Sequence, residues 1–549
     1  MIRSAAACLG AVLCAAFAAL SPPRASPGSL RAPPTAALPR VDLALGSGLR
    51  SFAIGNRFAY IPPQCYVRTH GTHSAYGGAF NPCFVCHLHA DPPNFANDED
   101  LPASPLFPSG GVENRWTHEF APAALPDGAV TDDDVLAYVR QSNYFDEGGG
   151  LALAATIDKL AEERPNVGFR GFRPDAWFSF DEDGFDRRPD GSYTGWRAFA
   201  YYPFPGAFFP TNGSMDDVLI RLDPVFQEDV DGRFDARVYA ANLEIVLADA
   251  RGSDADSRYE GRAGRADVSA RLPRAAGLLP RGTEFLHSVR YLDVDEDGAV
   301  VLAARMKELR YARKEQWFSA AELRRRSAVE AVEQARSADG AVPRAWQFDR
   351  GISNGQGWLF QGYIEGADGA LRPQSFEESL TCAGCHGGIG ATTDSIFSFP
   401  RKLGRDHGPS AHAQGWFHAT GAELHGMPEP LTRDGTYEYT EYLARSGGGD
   451  DFRDNDEIAR RFFDDQGRIL DRSALRLHED VAYLLIPSRE RALALDRAAW
   501  AIARDQSFVR GRDGVLSRKT NVYARVPAGA AATFSDALVP VRVDRATGH

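Results

Sequence analysis

The chain has 549 residues, 44% of them apolar and 25% charged, with a formal net charge of −13. That composition excludes a disordered or collagen-like chain, and the length leaves room for two or three cores. An acidic surface argues against nucleic acid as a partner and fits the steering of basic redox partner proteins.

Residues 1–25 carry Arg3, an apolar run over residues 5–20, the helix-ending Ser21-Pro22-Pro23 and then small residues. This is the layout of a secretory signal. The run is short for a membrane span, which needs about 20 residues. A lipid anchor would use Cys8 or Cys14, but Leu13 is bulky where a lipobox wants a small residue. Cleavage near Ala25 is therefore expected, leaving a periplasmic or secreted protein with no membrane span. Residues 26–49, rich in Pro, Ala and Leu, form a linker.

Residues 50–164 contain Cys83-Phe-Val-Cys86-His87, and a twin, Cys382-Ala-Gly-Cys385-His386, lies far along the chain. Cys-x-x-Cys-His is the haem c attachment pattern. Two thiols on one helical turn match the two vinyl groups of a porphyrin, and the adjacent histidine lies under the iron as proximal ligand. With 7 Cys and 13 His in the chain, chance gives roughly 0.002 such matches. A zinc ribbon could use the four cysteines but gives no reason for a histidine after each pair. Two covalently bound haem c groups are expected. Cys65 is left over, as a buried apolar side chain, an exposed thiol or a haem ligand. Thr131 and Asp134 mark a capping box and a helix start, and a second helix covers residues 151–163.

Residues 165–373 alternate aromatic and β-branched runs with Asp-Gly, Asn-Gly and Pro-Gly turns, which reads as a mainly β domain. Residues 238–247 fit a strand or a short helix, Ser319 and Glu322 open a clear helix, and residues 357–365 read as a strand. Asp293, Asp295, Asp297 and Gly298 have the spacing of a calcium loop, but Ala304 stands where an EF-hand needs a bidentate glutamate. The three aspartates are a candidate calcium site, weighed against an ordinary acidic hairpin turn.

Residues 374–549 begin with a second capping box, Ser375 and Glu378, on the helix that delivers Cys382–His386. A loop, Gly426-Met427-Pro428 and a helix over residues 437–445 follow. Residues 481–486 look like a buried strand.

A Cys-x-x-Cys-His helix, an irregular loop and a closing helix resemble the class I cytochrome c fold, more closely in the second segment. The resemblance implies an α+β chain with two mainly helical haem segments flanking a mainly β middle domain. It implies proximal iron ligation by His87 and His386. For the distal position of the second haem it points to Met427, with His407, His412, His418 and His425 as rivals. For the first haem it points to His118, with His70, His73, His89 and Cys65 as rivals. The function expected from it is that of a di-haem c-type cytochrome transferring electrons between two unlike haem centres. The alternative is a di-haem oxidoreductase, peroxidase- or oxygenase-like, with catalysis at the first haem. A non-redox reading, in which the β domain binds a ligand and the haems sense, also stands.

Overall fold

The β-branched and aromatic runs of the middle region pair antiparallel, some with the next run along the chain and others with a more distant one. In the computed structural model they build one antiparallel sheet of nine strands, ordered β1-β2-β3-β4-β5-β8-β7-β6 with β9 beside β8. The strands are β1 (Phe185–Arg187), β2 (Tyr193–Ala198), β3 (Met215–Arg221), β4 (Glu284–Val294) and β5 (Val300–Lys314), then β6 (Trp346–Gln347), β7 (Gly351–Ser353), β8 (Trp358–Glu365) and β9 (Leu371–Pro373). The structure describes residues 56–66, 110–126, 128, 130–163, 169–199, 210–250, 257–336, 346–387, 394–396, 424–431, 436–446 and 455–526.

Period-2 alternation gives the sheet two buried faces. Val218, Ile220, Phe285, Ala312 and Phe360 share one cluster. Trp196, Leu219, Leu286, Leu309, Tyr311 and Tyr363 share another on the opposite side. Register couples the rows: His287 of β4 pairs with Arg310 of β5, and Arg310 with Gly362 of β8.

The described helices begin with α1 (Asp132–Arg140) and α2 (Ala152–Glu162), followed by α3 (Ala236–Ala250), α4 (Ala320–Arg336) and α5 (Phe376–Cys385). The C-terminal part adds α6 (Glu438–Ser446), α7 (Asp456–Phe462), α8 (Asp471–Glu479) and α9 (Arg489–Asp505). Thr131 caps α1 in a reciprocal box with Asp134, and Ser375 does the same for α5 with Glu378. The segment 238–247 lies within the helix α3, and residues 481–486 contain the short helix Ala482–Leu485 rather than a strand.

The expected division into two helical haem segments around a β domain is overturned. Helix α1 and helix α9 both pack on the β4–β5 hairpin, where Val135, Val139, Tyr291, Val294, Leu493 and Ala499 form one cluster. Helix α5 packs on β7 and β8, with Leu380 and Ala383 buried in the cluster that holds Phe360. Helices from both expected flanks therefore cover the same sheet. They cannot be separate haem units, because their apolar faces are completed by the strands.

The acidic turn at Asp295 satisfies itself. The Asp295 Oδ1 accepts the backbone N–H of Asp297 at 3.0 Å and of Ala299 at 2.8 Å, and Gly298 takes φ +84°. Asp293 pairs instead with Arg140 at 2.9 Å. Asp181 and Asp229 make the same two backbone contacts in their own turns. Among the described residues no group of three or more His, Cys, Asp or Glu is placed to hold a metal ion.

Candidate functional site

Helix α5 starts where β9 ends, so the strand fixes its direction. The Ser375 hydroxyl accepts the Glu378 N–H at 3.2 Å, and the Glu378 carboxylate accepts the Ser375 N–H at 2.8 Å. Glu378 also takes a two-pronged contact from Arg372, at 2.8 and 2.9 Å. Burial opposes ionisation of Glu378, yet Arg372 and these donors hold its carboxyl below the usual range. The helix start is thereby pinned to the sheet.

One side of α5 buries Leu380 and Ala383, a burial worth about 1.5–3 kcal/mol for the leucine. Gly384 meets the chain at Tyr60, where an added Cβ would lie 1.9 Å from the Tyr60 carbonyl oxygen. The Cys382 side chain is a half-buried free thiol. Burial raises its pKa, while the charges of Arg310 and Arg512 act the other way.

His386 closes the helix. Its N–H donates to the Cys382 carbonyl at 2.9 Å, and its own carbonyl accepts the Asn354 Nδ2–H at 2.8 Å. The imidazole stacks on Phe360, centroids 5.0 Å apart at 28°. The Nδ1 sits 2.7 Å from the Ser395 carbonyl oxygen. A carbonyl can only accept, so Nδ1 carries the proton and Nε2 the lone pair. Burial drives the His386 pKa down to about 4, helped by the nearby Arg310 guanidinium and opposed by the Ser395 carbonyl. The ring is therefore neutral at physiological pH, the form in which imidazole ligates metals.

Beside it runs a polar row across the sheet. His287 Nε2 pairs with Asp216. Arg310 and Arg512 both reach Glu308, at 2.8 and 3.1 Å, and Gln374 donates to the same carboxylate at 3.1 Å. Lys307, Glu308, Arg310, Glu365 and Arg512 line a cavity of about 20 Å³, room for roughly one water. Burial lowers the Lys307 pKa.

The other expected site residues fall elsewhere. Cys83, Cys86 and His87 lie outside the described residues, as do His70, His73, His89, His407, His412 and His418. Cys65 sits in the 3₁₀ turn Pro63–Tyr66. His118 is buried beside Gly511, its Nδ1 3.1 Å from that carbonyl oxygen, and burial lowers its pKa. Met427 is buried among Tyr439, Tyr442, Leu443, Ile458 and Phe462, a cluster separate from the one that holds α5. His425 is exposed near Asp480, at 3.7 Å. Ser395, Asn354, Phe360, Arg310 and His287, which surround His386, were invisible to motif reading because each lies on a different element.

A family model described as a "-like lipoprotein" matches residues 49–479. The chain belongs to this lipoprotein family. It is also 31% identical, over 507 residues, to a protein of Aquifex aeolicus (strain VF5) named "Uncharacterized lipoprotein", covering 82% of this chain and 85% of that one. No solved structure matches.

Membership corrects two expectations and bears on a third. The resemblance to class I cytochromes c does not hold, because the matching family is one of lipoproteins and the cytochrome-like helical segments are parts of one sheet-based fold. Neither the electron-transfer function nor its di-haem oxidoreductase alternative is supported by the family or the relative. The expectation of an exported protein stands at that level, since the family is one of lipoproteins of the cell envelope. Among the described residues no helix is long and apolar enough to cross a membrane.

Proposed function

We propose that this envelope lipoprotein holds haem covalently, with Cys382 and Cys385 as thioether donors and His386 as the iron ligand. Cys83, Cys86 and His87 are proposed as a second attachment point of the same chemistry. The observation that carries the reading is the His386 imidazole, neutral by burial and oriented through Nδ1 by the Ser395 carbonyl. A metal-bound histidine is normally held in this way by an outer hydrogen bond. Helix α5 supports it too: Gly384 lets the helix press its back against Tyr60, while the two cysteines fall three residues apart on one turn.

A bound haem would supply an imidazole-ligated iron centre. The protein's own part is to hold the ligand ring, exclude solvent from it and keep it unprotonated. The proposal places this centre in the envelope of a lipid-anchored chain facing the periplasm, which agrees with covalent haem attachment outside the cytoplasm. Its role there is cofactor display, with no redox partner assigned.

The test is a pyridine haemochrome assay on the membrane fraction of cells that mature haem c, followed by a denaturing gel stained for haem peroxidase activity. The wild-type band should stain and yield two haems per chain. Cys382→Ala with Cys385→Ala should lose one haem and keep the other. A wild-type chain that carries no covalent haem sinks the proposal.

A further inference from the structure

Resting on the haem reading above, we propose that Lys314 and Asp394 are positioning residues for His386. Their buried ion pair holds the Asp394–Ser395 turn, so that the Ser395 carbonyl fixes the ring with its proton on Nδ1 and its lone pair on Nε2.

The backbone points to the turn first. Asp394 and Ser395 take φ 52° and 65°, two consecutive non-glycine residues in the left-handed region. Only Phe178 and Gln506 share that property among the described residues. Aspartate tolerates this conformation better than serine, and the pair persists only where its surroundings over-determine it.

The surroundings do so through one carboxylate. The Asp394 Oδ2 accepts the Leu279 N–H at 3.0 Å and pairs with the Lys314 Nζ. Lys314 also donates to the Leu279 carbonyl at 2.8 Å. Both side chains are 1% exposed. A buried ion pair is a weak source of stability compared with apolar side chains of similar volume. What it supplies is geometry.

That geometry ends on the ligand. Lys314 stands opposite Trp358 in the β5–β8 ladder, and Ala312 opposite Phe360. The same two strands therefore carry the anchor of the turn and the aromatic face on which the His386 ring stacks. Lys314 and Asp394 reach the imidazole only through Ser395, so their role is to position it.

The test reads the tautomer directly, in the full chain produced without haem maturation. Selective ¹⁵N-histidine labelling distinguishes protonated from unprotonated ring nitrogens, and subtraction of a His386→Gln spectrum isolates the signal. Wild type should show a single tautomer, protonated at Nδ1. Lys314→Met alone leaves a buried carboxylate without its cation, so the double variant Lys314→Met with Asp394→Leu carries the comparison. It should fold, with a lowered midpoint because the buried Leu279 N–H loses its acceptor and leucine is strained at φ 52°, and populate both tautomers. Asp394→Asn keeps the turn preference and the Leu279 contact but loses the ion pair, so it should also populate both tautomers, and a single Nδ1–H form there would overturn the role of the pair. The proposal is overturned if wild-type His386 is protonated at Nε2, or if the double variant keeps the wild-type tautomer. It is overturned as well if the double variant fails to fold, because the pair is then a requirement of the fold. None of these results depends on haem, so this inference and the haemochrome result can fail separately.

Discussion

At the scale of single residues the Cys382–His386 segment is less permissive than its pattern implies. Cys-x-x-Cys-His leaves two positions open, but Gly384 is pressed against the Tyr60 carbonyl, where a Cβ would sit 1.9 Å from the oxygen. No real side chain fits there, and the neighbour is backbone, which cannot rotate away. Gly384→Ala should therefore destabilise the chain by about 1–3 kcal/mol, the usual cost of forcing an extra methyl into a packed site. Urea unfolding checks this, and an unchanged midpoint would show that residues 56–61 do not rest on α5. Cys382, Cys385 and His386 could be singled out together because they are contiguous. Lys314, Asp394 and Ser395 could not, because nothing in a lysine on a strand or an aspartate in a loop announces a partner far along the chain.

At the scale of elements, helix starts were the most readable features. The boxes at Thr131, Ser319 and Ser375 are all formed, because a cap is a local contract between residues three apart. Helix α3 was ambiguous since Tyr239, Asn242, Leu243, Val246 and Leu247 are all buried, leaving little polar face to show a period. The Asp295 turn reads like a calcium loop because a hairpin and a cation both call for an oxygen early in the turn and a glycine late. The structure gives that oxygen to two backbone N–H groups. Among the caps, that of α5 bears most directly on the site. Ser375→Ala should cost about 1 kcal/mol and Ser375→Gly only a few tenths. Chemical denaturation of the two variants side by side checks that ordering, and equal losses would assign the effect to the helix start being held by Arg372 and Glu378 alone.

At the scale of the whole molecule, local pattern was a poor guide to what covers what. A haem helix, a loop and a closing helix describe a small cytochrome only if those helices pack on each other. Here α5 packs on β7 and β8, and the closing helix α6 contributes Tyr439, Tyr442 and Leu443 to a core with α7 and α8. Single-chain reading sees the order of elements but not their partners. The family match supplied what the pattern lacked, and it also reopens the N-terminal cysteines. A lipid-modified cysteine needs a hydrophobic run before it. Cys14 follows the apolar residues 5–13, whereas Cys8 follows only three alanines of that run. Leu13 makes the site a poor one, but Cys14 remains the better substrate of the two. Growth with a radiolabelled fatty acid should label the wild-type chain in the membrane fraction. Cys14→Ser should lose the label and move the chain to the soluble envelope fraction, while Cys8→Ser should keep both. Two acyl chains are enough for stable anchoring, so loss of the label without release would mean that protein contacts, and not the lipid, hold the chain at the membrane.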